Sequence, residues 1–280
     1  MELARIIICF LLACIPAYLW GYIFYRKQPE PRKWVALTFI AGMVSVIPIM
    51  LYKWSWQYFP NLNIFIYTDN WDHDLLGFSS LIALPVGVVA SFAFVGVLEE
   101  YMKNIVVRAT DRKNLACIDD AIEFCIIAAL GFAFIENIMY FFYIWNYQGF
   151  ESLFISFIFR SIFSTFAHLL FSGVYGYYYG VAHFAKPILQ EEMKNNQHPI
   201  IAWVHKVFHL KSETIFHEEK MMEGLLFSLV LHAFFNIALE LGLTFIIVPY
   251  LVIGYIFLSY LFKQKRNHHK YNKLIQSPLS

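Results

Sequence analysis

Charged residues are scarce in this chain. Asp, Glu, Lys and Arg make up 15% of its 280 residues, against roughly 25% in a soluble domain. With 59% hydrophobic residues, 19% aromatics and a mean hydropathy of +0.55, that scarcity excludes a soluble globular protein and leaves a polytopic membrane protein. The net charge is only +1. No basic run is long enough to suggest a nucleic-acid partner. Cysteine is sparse too: Cys9, Cys14, Cys117 and Cys125 form no C-x-x-C pair. Three of them lie in or beside apolar segments, where a thiol behaves as a small hydrophobe, so neither a disulfide framework nor a cysteine metal site is expected. No segment repeats, which speaks against an inverted-repeat transporter. The usual helical zinc signature, H-E-x-x-H, is missing as well.

What is present is a series of apolar runs of spanning length, and the expected fold is an all-α transmembrane bundle of about seven helices. Leu3 to Tyr25 is the first. No small-x-small cleavage site closes it and basic residues follow, so it reads as a span rather than a signal peptide. Trp34 to Tyr52 is the second, with a bend expected near Pro48. The third runs from Leu75 to about Glu100, its helix continuing toward Arg108. The fourth runs from Ile118 to Tyr147, the fifth from Ser152 to Phe184, the sixth from Met221 to Leu241 and the seventh from Leu243 to Phe262. Residues 1–74 thus form two spans and an extracytoplasmic loop, and 75–262 a core with a cytosolic loop at 185–220. A basic tail at 263–280 completes the chain. Lys and Arg gather after spans one, three and five and in the tail, and are nearly missing after spans two, four and six. By the positive-inside rule the N-terminus faces outward and the C-terminus the cytosol.

The few ionisable groups inside these runs are therefore conspicuous, because burying a charge in lipid is costly without a partner or a function. From Leu75 to Leu98 no residue is charged; Glu99 and Glu100 then stand together, with Lys103 on the same helical face. Glu136 and Asn137 sit in span four, Glu136 without a basic residue within a helical turn. Arg160, Ser164 and His168 follow one another at intervals of four in span five, as do Ser228, His232, Asn236 and Glu240 in span six. Each has a plain alternative: a juxtamembrane ion pair for Glu99 to Lys103, interhelical hydrogen bonds for the histidines, and neutralisation of Glu136 or Glu240 for Arg160. Together they form an inventory for activating water. The metal form of that reading takes His168, His232 and Glu136 as ligands; the metal-free form uses a carboxylate base with polar donors for the oxyanion. Counting rise along the helices spreads these residues in depth. Convergence is expected only if span four starts late, after Asp119, Asp120 and Glu123, and the helices tilt or the membrane thins. His205 and His209 also have metal-compatible spacing, but their apolar and basic neighbours suit an amphipathic interfacial helix better.

Four motifs in register resemble the PrsW family of intramembrane proteases: Glu-Glu-x-x-Lys at Glu99 to Lys103, Phe-x-x-x-Glu-Asn at Phe132 to Asn137, His168 ahead of Gly173, Gly176 and Gly180, and His-x-x-x-Asn at His232 to Asn236. The phrase Gly131-Phe-Ala-Phe-Ile-Glu-Asn-Ile-Met-Tyr-Phe141 is similar to that family too. The likeness runs from about Pro85 to Glu240, and its layout resembles the wider group of CAAX prenyl endopeptidases and bacteriocin-processing enzymes. The resemblance implies a protease of the bacterial cytoplasmic membrane that clips a membrane-bound protein such as an anti-sigma factor. It leaves zinc or a metal-free glutamate mechanism open. On that reading Glu99 or Glu100 deprotonates water, and His168, His232 and Glu136 hold zinc or the oxyanion. Lys103 tunes the carboxylates, Asn236 donates to the intermediate, and Asn137 and Arg160 support. A non-catalytic membrane scaffold or chaperone is the competing expectation, and a proton-coupled transporter a weaker one.

Overall fold

The computed structural model describes residues 2–25, 32–68, 85–186, 188–189 and 212–266. The expected start of the third span at Leu75 and the His205–His209 pair lie outside them. In a hydrocarbon environment every backbone N–H and C=O must be satisfied within its own segment, so these apolar runs fold as helices. In chain order they are α1 (Glu2–Tyr25), α2 (Arg32–Val44), α3 (Ile47–Ser55), α4 (Ile64–Thr68), α5 (Val86–Thr110), α6 (Ile118–Gln148), α7 (Phe150–Phe159), α8 (Thr165–His183), α9 (Ser212–Glu240) and α10 (Thr244–Arg266). The protein is an all-α polytopic bundle.

Six helical stretches among the described residues are long and apolar enough to cross a membrane: Glu2–Phe24, Lys33–Ser55, Ile118–Gln148, Phe150–His183, Ser212–Glu240 and Thr244–Leu261. Helix α5 differs from them because it carries Glu99, Glu100 and Lys103 within its length, and it buries all three. It packs against α9, α2, α6 and α4. The second stretch breaks at Ser45–Val46, where α2 ends and α3 begins. Pro48 sits in the first turn of α3, where its missing N–H costs nothing. Helix α9 starts at Ser212, well before Met221, so the end of the segment expected to be a polar loop is helical. Its Glu and Lys residues there are good helix formers, which a hydropathy reading passes over.

Helix α6 is the centre of the bundle. It packs on α8, α2 and α1, and it is buried over most of its length. The crossing with α2 depends on two glycines. A Cβ on Gly42 would come within 2.1 Å of the Ala128 carbonyl oxygen, and one on Gly131 within 2.1 Å of the Phe39 carbonyl oxygen. Small residues allow such close backbone approach, and helix association within lipid relies on it. Helix α6 starts at Ile118, ahead of Asp119, Asp120 and Glu123. The reason is a cap: Asp120 Oδ2 accepts from the backbone N–H of Ala116 (2.7 Å) and of Cys117 (3.0 Å). Nearby, Thr38 of α2 donates to Asp111 Oδ1 at 2.8 Å. Burial pushes the Asp111 carboxyl up, opposed by the hydroxyls of Thr110 and Thr38.

Candidate active site

Helix α5 brings its charges to the bundle on one face. Glu100 and Lys103 are three residues apart, and Lys103 Nζ donates to Glu100 Oε1 at 2.7 Å. The same carboxylate oxygen meets His232 Nδ1 of α9 at 2.8 Å. Glu100 Oε2 accepts from Ser172 of α8 at 3.5 Å. Glu100 is thus enclosed by an ammonium, an imidazole and a hydroxyl. Its neighbour Glu99 is not: its Oε2 is buried without a hydrogen-bond partner, 3.5 Å from His232 Nε2.

Helices α6 and α8 supply the other side. His168 Nε2 meets Glu136 Oε2 at 2.9 Å, and Arg160 Nη2 donates to the same oxygen at 2.7 Å. Arg160 Nε donates to Asn137 Oδ1 at 2.8 Å, and Asn137 Nδ2 donates to Thr165 Oγ1 at 3.1 Å. The Thr165 hydroxyl then donates back to the Arg160 carbonyl at 2.8 Å, closing a ring. The ring is possible because residues Arg160–Ser164 form one π-helical turn between α7 and α8. Such turns widen the helix and redirect side chains, often at functional sites. Arg160 also lies 3.9 Å over the Tyr140 ring.

Lys103 joins the two sides. Its Nζ lies 3.0 Å from His168 Nδ1 and 4.4 Å over the centroid of the Phe132 ring. The two imidazoles stand edge to face, 5.2 Å apart. By helical rise Glu136 is about 27 Å from the start of α6, and Glu100 about 15 Å from the end of α5. Helix α6 does not start late, and Lys103 and His168 link the two sides.

The structure therefore brings together Glu99, Glu100, Lys103, Glu136, Asn137, Arg160, His168 and His232. Asn236 stands one turn beyond His232, half-buried, and is not joined to this network; Glu240 is exposed at the end of α9. Arg160 neutralises Glu136. The sequence reading gave no role to Phe132, Tyr140 or the ring through Thr165. Phe132 figures there only as a motif residue one turn before Glu136; Tyr140, one turn after it, could have been found by the same spacing. The π-turn has no comparable signature.

Among the described residues, Glu99, His168 and His232 each offer a ligand atom within 4.8 Å of the others, and all three are buried. Two imidazoles and a carboxylate suit zinc. The unpartnered Glu99 Oε2 is the observation that fits a cation, since a buried carboxylate oxygen without donors is costly. The carboxylate in this cluster is Glu99; Glu136, expected in that position, is bound to Arg160 and His168.

Comparison with known proteins gives the chain's family. A sequence model described as "PrsW family intramembrane metalloprotease" matches residues 30–262, more than four fifths of the chain. Among curated proteins, "Protease PrsW" of Geobacillus kaustophilus (strain HTA426) is 28% identical over 167 residues. That match covers 58% of this chain and 61% of the relative, so the chain spans about three fifths of the relative's length. No solved structure matches.

Proposed function

Because the chain belongs to the PrsW family of intramembrane metalloproteases, we propose that it is an endopeptidase hydrolysing a peptide bond of a membrane-bound protein. We place it in a bacterial cytoplasmic membrane and take a single-pass regulator, such as an anti-sigma factor, as the substrate class. The observation carrying the reading is Glu99: a buried carboxylate with an uncommitted oxygen, beside two imidazoles oriented by other groups.

Glu99, His168 and His232 would hold the zinc. When bound there, zinc supplies Lewis acidity that lowers the pKa of water and polarises a carbonyl. The remaining roles belong to the chain. Glu100 accepts from His232 Nδ1, which leaves Nε2 with its lone pair turned to Glu99. This is the usual way a carboxylate orients a ligating histidine. Glu136 does the same for His168, and Arg160 fixes Glu136. A carboxylate has two oxygens, so Glu99 can ligate through one and accept a proton through the other. Glu99 takes the proton of the attacking water as its oxygen adds to the scissile carbonyl carbon. It then passes that proton to the amide nitrogen as the C–N bond breaks. Asn236, on the His232 side of α9, is the donor for the oxyanion.

The substrate approaches from the α6–α7 side. The Glu136 and Arg160 side chains are each 12% exposed and Glu99 is 10%, whereas Glu100 is 0% and His232 2%. The family match does not favour a scaffold or a proton-coupled transporter.

The test is a comparison of new protein N-termini in membranes from cells producing the wild type, Glu99→Gln or His232→Ala. New termini within or beside transmembrane segments, present with the wild type and missing with both variants, are expected. Identical sets of termini from all three strains would sink the proposal.

A further inference from the structure

The two imidazoles are held differently. His232 has one nitrogen committed, Nδ1 to Glu100. His168 has both: Nδ1 faces Lys103 Nζ at 3.0 Å, and Nε2 faces Glu136 Oε2 at 2.9 Å. Lys103 is 1% exposed and ion-paired with Glu100. An ammonium has three donors and no lone pair. Its contact therefore assigns the His168 tautomer: Nδ1 accepts, and Nε2 carries the hydrogen donated to Glu136. A neutral imidazole has one lone-pair nitrogen, and here an ammonium occupies it.

A cation could reach His168 through either nitrogen. Through Nδ1, it takes the lone pair that Lys103 now holds. Through Nε2, the ring hydrogen moves to Nδ1, where it faces the ammonium donor against donor. Both routes require Lys103 to leave His168. A divalent cation beside the ammonium adds like-charge repulsion in a buried site, where screening is weak.

We propose that Lys103 is an internal occupant of the metal centre: its ammonium and a divalent cation exclude one another at His168, so metal loading requires Lys103 to withdraw. This inference rests on the metal reading of Glu99, His168 and His232 given above. Lys103 has two anchors besides His168. Lys103 keeps Glu100 Oε1 at 2.7 Å and lies over the Phe132 ring, whose face attracts a cation. Without metal, Lys103 neutralises the buried acids and holds α5 to α8. With metal, the same charge moves aside and His168 is freed without losing Glu136, which still orients it.

The experiment is a cobalt(II) titration of the full-length, chelator-stripped protein in detergent, followed by the visible ligand-field absorption. Wild type, Lys103→Met, Lys103→Arg, Glu100→Gln and the double variant Lys103→Met/Glu100→Gln are compared. The double variant avoids leaving Glu100 buried without its ammonium, and thermal melts in the same detergent establish that each protein is folded. Removing a charge-assisted hydrogen bond to the ligand is expected to tighten cobalt binding about tenfold or more. That gain should appear in Lys103→Met against wild type, or in the double variant against Glu100→Gln if the single variant does not fold. Lys103→Arg, which keeps a cation, should show no gain. Merely structural damage would weaken binding, so a gain separates the two. Equal or weaker binding in the folded Lys103→Met proteins would overturn the inference and leave the proposed protease standing. If no protein, wild type included, takes up cobalt, the inference falls together with the metal reading. Glu99-dependent cleavage persisting in membranes would then identify a metal-free protease.

Discussion

The two halves of the site are built on opposite plans. Where α6 meets α8, the groups around Arg160 are partnered: Glu136 has Arg160 and His168, Asn137 has Arg160 and Thr165, and the ring closes on the Arg160 carbonyl. Where α5 meets α9, Glu100 is enclosed but Glu99 keeps an oxygen without a donor. A satisfied network in a low-dielectric interior is rigid, while an unsatisfied buried group is costly and persists where function needs it. On the proposed mechanism the first half braces His168, and the second carries the proton acceptor Glu99. Lys103, in contact with both, is the hinge between them.

Glu99→Gln is the strongest test of that division. It removes the proton acceptor and one ligand, and cleavage should fall by about 10³-fold or more, at the upper range for a general base. Because it also removes a buried carboxylate lacking a donor, the melting temperature should stay level or rise. A variant that lost stability and activity together would place Glu99 in the brace. Glu100→Gln comes next. It keeps an acceptor for His232 but leaves Lys103 buried without its counter-charge, and cleavage should fall about 100-fold, as for other groups that orient metal ligands. Arg160→Met acts on the opposite half and should reverse the pattern. It strands Glu136, so unfolding free energy should drop by about 3 kcal/mol, while cleavage falls about tenfold. Chemical denaturation and the N-terminal assay read these separately. Loss of activity without loss of stability would show that Arg160 touches the substrate.

Sequence reasoning reached the composition of this site but not its division. Glu99, Glu100, Glu136, His168 and His232 stand out because lipid-embedded charge is rare, and the helices follow from apolar run length. Pairing was harder to read. Arg160 had two candidate carboxylates, and only the π-turn, which no spacing rule announces, directs it to Glu136 rather than Glu240. Glu136 was the carboxylate expected beside the histidines; the candidate cluster has Glu99 in that place, with Glu136 paired to Arg160 and His168. Depth counted from helix ends spread residues that the Lys103 and His168 contacts bring together. Helix α5 was legible as a helix through its apolar run, yet its charges make it unlike a simple span, and its place among α2, α6 and α9 is a tertiary fact.

The smallest expected effect is at Thr165, where the brace closes. Its hydroxyl donates to the Arg160 carbonyl at 2.8 Å and accepts from Asn137 Nδ2 at 3.1 Å. Thr165→Val keeps the shape and β-branching that set χ1 in a helix, and removes only the hydroxyl. The Arg160 carbonyl retains the backbone N–H of Thr165, the bond that defines the π-turn, so the turn itself should survive. What is lost is the partner of Asn137, worth about 1 kcal/mol, with cleavage changed less than about fivefold. The informative measurement is a double-mutant cycle with Arg160→Met. If Arg160, Asn137 and Thr165 act as one network, the second substitution should cost clearly less in the first's background than alone. Additive losses would mean that the ring is a coincidence of neighbours, and the rigidity of the α6–α8 half would then have to come from apolar packing around Phe132 and Leu169 instead.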